Sequence, residues 1–136
     1  MTYVEAARRL DSLNEVPKKF AWPVYFLLCH AIELALKAYL AASGVPGKTL
    51  RDEIRHDLDR AFKDAQSRGL SPADNRFPEL VSWLAPSHLD HSFRYRRASG
   101  FVRYPAAAEA ADIIDNTAIA IKPYVHGKLV EYKKQQ

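Results

Sequence analysis

The chain of 136 residues is long enough for one core and too short for two without disulfides or metals to hold them, so residues 1–136 are read as a single domain. A hydrophobic fraction of 48% with 26% charged residues excludes wholesale disorder, and five glycines are too few for the frequent tight turns of an all-β protein. The net charge of +4 is compatible with nucleic acid or an anionic ligand, but does not by itself require one.

Val4, Ala7, Leu10 and Leu13 recur at spacings of three and predict one face of a short first helix over 2–13, closed by Pro17. A second helix starts near Trp22 and Pro23, where proline is tolerated in the first turn, and runs to Gly44, with Pro46 beyond it. Its sequence, PVYFLLCHAIELALKAYLAA, is apolar nearly all round, as a central helix should be. Leu50, Ile54, Leu58, Ala61, Phe62 and Ala65 form one stripe of a third, amphipathic helix that Gly69 ends. ADNRFPELVSWLAPSH predicts a short fourth helix, with Pro78 near its start and Pro86 just past its end. After a loop rich in arginine and aromatic residues, Pro105 opens a long last helix that Pro123 should kink or divide. The expected fold is all-α, an up-and-down bundle of four to five helices with the long ones antiparallel.

Cys29, the single cysteine, lies in an apolar run and reads as a small hydrophobe, so neither a disulfide framework nor a cysteine zinc site is expected. His30 and Glu33 interrupt the apolar run before it nears the roughly 20 residues of a membrane span, and the N-terminus shows no secretion signal. A cytoplasmic protein with no membrane association is the expectation.

His30, Glu33 and Lys37, spaced three and four apart, share one face of the second helix and form a narrow polar stripe. Two readings stand: a structural ion pair with a hydrogen-bonded histidine, or a stripe lining a ligand site. His56 and Asp57, in the first turns of the third helix, offer a proton-exchanging ring beside helix-end amides that suit an anion; alternatively they belong to a solvated face, with Asp57 and Arg60 paired. His88, Asp90 and His91 in SHLDH make a poor zinc set, so no metal and no cofactor are expected. No glycine-rich phosphate loop or nucleophile elbow is present. The dozen residues Phe93 to Tyr104 carry four arginines and four aromatics; Arg94, Arg96 and Arg97 are the best positions for phosphate contact.

HAIELALKAYLAASG in the second helix, RHDLDRAF opening the third, and VRYPAAAEAADII leading into the last together resemble the HEPN domain family, over residues 22 to 120. The resemblance implies a bundle of four main helices, usually dimeric, acting on or near nucleotides or RNA. It also implies a partner protein such as a nucleotidyltransferase or an antitoxin, in toxin, antitoxin or defence systems. Arg103, Tyr104 and Pro105 correspond to its helix-entry motif, which places Arg103 and Tyr104 with His30, Glu33, Lys37, His56 and Asp57 among the expected ligand-binding residues. Ribonuclease members carry an arginine followed after four to six residues by a histidine in a late helix, but no histidine follows Arg103 until His126. Arg51 and His56 have the spacing at the wrong helix. The expected function is therefore a non-catalytic nucleotide- or RNA-binding homodimer. The alternatives are a metal-independent ribonuclease with Arg51 and His56 as catalytic pair, and a pure protein-interaction subunit.

Overall fold

The computed structural model describes residues 2–13, 22–91 and 106–136, and every regular element among them is a helix. Helix α1 spans Tyr3–Asp11, α2 Trp22–Ala42, α3 Leu58–Ser67, α4 Phe77–Leu89 and α5 Ala107–Lys134. Before α3, one helical turn at Gly47–Thr49 runs into a π-helical turn at Leu50–Ile54.

Thr2 starts α1 through a capping box. Its hydroxyl accepts from the Glu5 amide at 3.1 Å, while the Glu5 carboxylate accepts from the Thr2 amide. Val4 and Ala7 are buried as their spacing predicts, Leu10 is half-buried, and Leu13 is exposed. At the other side of α1, Arg8 reaches Asp112 and Asp115 of α5 at 2.9 and 2.7 Å.

Helix α2 touches all four other α-helices, which is why its sequence is apolar on every side. Leu28, Cys29, Ile32, Leu36 and Leu40 have no exposed surface, and emptying one of the leucine sites costs roughly 2–5 kcal/mol. The length and composition of Trp22–Ala42 would suffice to cross a membrane, which corrects the expectation that no segment approaches such a span. One side of it, with Val24, Leu28, Ile32, Leu36 and Leu40, is buried against the other helices, while Leu34 remains 45% exposed. Gly44, with φ 96°, terminates it, and Gly69, with φ 102°, follows the end of α3.

Three boundaries differ from the sequence expectation. The third predicted helix is broken at Arg55, where φ is 52°; α3 begins afresh with Asp57 as its N-cap, accepting from the Arg60 amide at 3.1 Å. Asp57 thus caps the helix rather than lying in its first turns, and the Arg60 guanidinium turns to Glu53 instead of Asp57. The apolar stripe survives the break, because Ile54, Leu58, Ala61, Phe62 and Ala65 are all buried. Pro86 lies within α4, not beyond it, so the helix carries His88 in its last turn. Pro123 lies inside α5, which continues past it as one helix instead of being divided. Pro17 and Pro105 lie outside the described residues.

Two polar ties fasten the far end of α2. The Tyr39 hydroxyl donates to the Arg68 carbonyl at 3.1 Å, and its ring stacks on Tyr124 of α5 at 4.7 Å. Near them the Ser43 and Tyr124 hydroxyls share a 3.1 Å hydrogen bond. These hydroxyls have the partners that a low-dielectric interior demands, whereas the indole Nε1 of Trp22, at the start of α2, is buried without one.

Candidate functional site

The centre of the polar architecture is Glu33, a carboxylate on α2 with only 4% of its surface exposed. An isolated charge at such a place would be prohibitively costly. Three groups from three different positions answer it. Lys37, one turn later on α2, donates to Oε1 at 2.7 Å. His88, near the end of α4 and equally buried, meets Oε2 through Nε2 at 2.7 Å. His56, in the turn between the π-helical segment and α3, reaches the carboxylate through Nδ1 at 3.1 and 3.2 Å. An ionised carboxylate only accepts, so each ring holds its proton on the nitrogen that faces Glu33. Burial alone would push the Glu33 carboxyl up; the hydrogen bonds from His88, Lys37 and His56 more than offset it and bring it down to about 2.

Local sequence explains how each group arrives. The i, i+4 order places Lys37 over Glu33 on the helix surface. His88 continues the buried α4 stripe of Phe77, Val81 and Leu84, so it enters the core at an apolar-spaced position and needs a partner there. Arg55, held in a left-handed conformation that a non-glycine residue adopts at a cost of about 1–3 kcal/mol, breaks the chain between two helical segments and turns His56 inward. The His56 side chain remains 40% exposed, the most accessible member of the group. Its ring meets that of His88 edge-on at 5.9 Å and that of His91 at 5.5 Å.

Of the residues expected at a ligand site, Glu33, Lys37 and His56 are brought together. His30 faces another neighbourhood, with its ring edge-on to Tyr3 at 4.4 Å and parallel to Phe26 at 6.1 Å. Burial pushes the His30 ring below its ordinary value, the nearby Glu33 charge opposing this. Arg51 is exposed and donates to its neighbour Asp52 at 3.2 Å, while His56 is bonded to Glu33. Arg94, Arg96, Arg97, Arg103 and Tyr104 lie outside the described residues.

The reading of the sequence missed His88 as a partner of Glu33, having weighed it only with Asp90 and His91 of its own segment. The signal was its apolar spacing along α4, hidden once Pro86 was taken as the helix end. A second network also went unread. Asp74 accepts from the Arg76 side chain at 2.8 and 3.0 Å and from Asn116 at 3.2 Å, and Arg76 also reaches Glu109 of α5. Arg76 holds the Asp74 carboxyl far below the usual range. A shallow pocket opens beside this network, between loop 73–76 and α5, but its charges already neutralise one another. The Glu33 group is the stronger functional centre because one of its polar members is both buried-anchored and accessible.

The chain matches no protein-family model, no curated protein and no solved structure.

Proposed function

We propose that the chain is a HEPN-like helical module that binds a nucleotide or RNA without cleaving it, acting as a homodimer in the cytoplasm beside a partner protein such as a nucleotidyltransferase or an antitoxin. The observation that carries this reading is the convergence of Glu33 and Lys37 with His56. These residues belong to two of the three segments that resemble the family, ELALK and RHDLD, and they meet at 2.7 to 3.2 Å.

Position supports a phosphate-bearing ligand. His56 is the accessible edge of the cluster, and the His91 ring lies against it at 5.5 Å. Immediately after His91 the sequence enters the arginine- and aromatic-rich stretch. Arg94, Arg96 and Arg97 follow His91 by three, five and six positions in the sequence, and cationic side chains add phosphate affinity as aromatic rings add stacking.

Binding of single-stranded RNA should weaken steeply with salt. Changing Arg94, Arg96 and Arg97 together to glutamine should flatten the log–log salt slope by up to about two, at roughly 0.7 per phosphate contact. RNA affinity indifferent to both salt and the triple change removes nucleic acid from the account.

One observation favours the ribonuclease alternative. A histidine whose Nδ1–H is held by a buried carboxylate is oriented to exchange protons through Nε2. Against it, the Arg51 guanidinium is turned to Asp52, while His56 is bonded to Glu33. Metal-independent RNA cleavage that disappears in His56→Ala with affinity retained would replace binding by catalysis as the function.

A further inference from the structure

We propose that Glu33, His56 and His88 form a binding site for a divalent transition cation of the zinc class. This goes beyond the nucleotide-binding reading and does not depend on it. The donor atoms are Glu33 Oε2, His56 Nδ1 and His88 Nε2, all within 4.8 Å of one another.

The geometry suits such an ion. Ligand bonds of about 2.0–2.2 Å to nitrogen and oxygen in a tetrahedral shell put neighbouring donors roughly 3.3–3.5 Å apart. The present separations from Glu33 Oε2 are 2.7 Å to His88 and 3.1 Å to His56, so each of these two pairs needs to open by less than an ångström, and the two imidazole nitrogens lie within 4.8 Å of each other. Two imidazoles and one carboxylate are a borderline-soft set that favours zinc, cobalt, nickel or ferrous iron; magnesium and calcium favour oxygen donors.

The chain also holds the donors in advance. They come from α2, the turn after the π-helical segment, and α4, and both Glu33 and His88 are fixed by burial. His56, 40% exposed, leaves a side for the ion to enter and for an exchangeable fourth ligand. Lys37 is on Oε1, so Oε2 can ligate while the lysine keeps its bond to the same carboxylate. Neutral rings accommodate the ion by a tautomer change: the proton on His56 Nδ1 moves to Nε2, the one on His88 Nε2 moves to Nδ1, and the vacated lone pairs bind the cation. The Lys37 charge weakens the site, so micromolar affinity is expected rather than the far tighter binding of structural zinc sites.

The test uses the full chain after treatment with a chelator, titrated with zinc chloride and cobalt chloride by calorimetry and visible absorption. One ion per chain should bind at micromolar concentration, cobalt should show the strong absorption of a four- or five-coordinate ion, and millimolar magnesium should not compete. His56→Ala, at an accessible position, should lower zinc affinity by at least about tenfold, while His126→Ala, on the exposed end of α5, should not. X-ray absorption of the zinc-loaded wild-type chain provides a readout that needs no variant and should show two imidazole ligands. No stoichiometric binding at millimolar zinc, affinity unchanged by His56→Ala, or a zinc shell without imidazole overturns the assignment.

Discussion

His88 Nε2 lies 2.7 Å from Glu33 Oε2, although 55 residues separate the two in the chain. The contact joins α4 to α2 through the most deeply buried carboxylate among the described residues, and both partners are almost wholly removed from solvent. Removing either one leaves the other in an interior that cannot hydrate it. His88→Leu should therefore destabilise the fold by about 2–4 kcal/mol, read as a shift in the urea unfolding midpoint. A loss under about 0.5 kcal/mol would mean that Lys37 and His56 satisfy the carboxylate without it.

Lys37 is less committed, since its side chain keeps 21% exposure and two imidazoles remain on Glu33 when it is removed. Lys37→Met should cost about 1–3 kcal/mol, and the Glu33→Gln, Lys37→Met double change should recover much of this by eliminating the buried charge. Equilibrium unfolding of the four proteins of the cycle measures the coupling. Purely additive effects would show that the 2.7 Å ion pair contributes no interaction energy.

Arg55 has φ 52° and ψ −113°, a backbone conformation that glycine adopts without the penalty of a Cβ. Arg55→Gly should leave stability unchanged or raise it by up to about 1 kcal/mol, the relief of strain offsetting the greater entropy of the unfolded chain. Thermal unfolding checks this. Arg55→Val should destabilise by more than about 1 kcal/mol, because a β-branched residue resists positive φ.

Acid should weaken the fold in two stages. His30 has a lowered value in the folded chain, so the unfolded chain binds its proton first, and stability begins to fall as pH drops below the ordinary histidine value of about 6.5. Asp74, lowered chiefly by the Arg76 side chain, contributes stability that is full above the ordinary aspartate value of about 3.9 and is lost as pH falls through its lower folded value. Glu33, at about 2, acts in the same direction. Urea midpoints measured from pH 8 to pH 3 should show both declines, with His30→Phe flattening the upper one and Asp74→Asn the lower.

The proposed homodimer has a test of its own. Leu129 and Tyr132 on the last turns of α5 are 50% and 60% exposed, an apolar surface suited to a second chain. Sedimentation at micromolar concentration should give twice the 15.4 kDa of one chain, and Leu129→Glu should weaken association by at least about tenfold. A wild-type mass of one chain at that concentration excludes the dimer.

The helical class, the central place of α2, the glycine stops at Gly44 and Gly69, and the union of Glu33 with Lys37 were legible in the sequence. They follow from local rules: apolar periodicity, positive-φ preference and the i, i+4 geometry of one helix. The break at Arg55 was not legible, since the apolar stripe from Leu50 to Ala65 keeps its period across it and no glycine or proline marks the place. Nor was the length of α4, because a proline stops a helix by default and only the surrounding packing carries this one past Pro86. Above all, the sequence could not join His56 and His88 to Glu33. Neither histidine has a local reason to meet that carboxylate; the folding of α3 and α4 against α2 brings them there, and the cost of leaving a buried charge unpaired makes the meeting necessary.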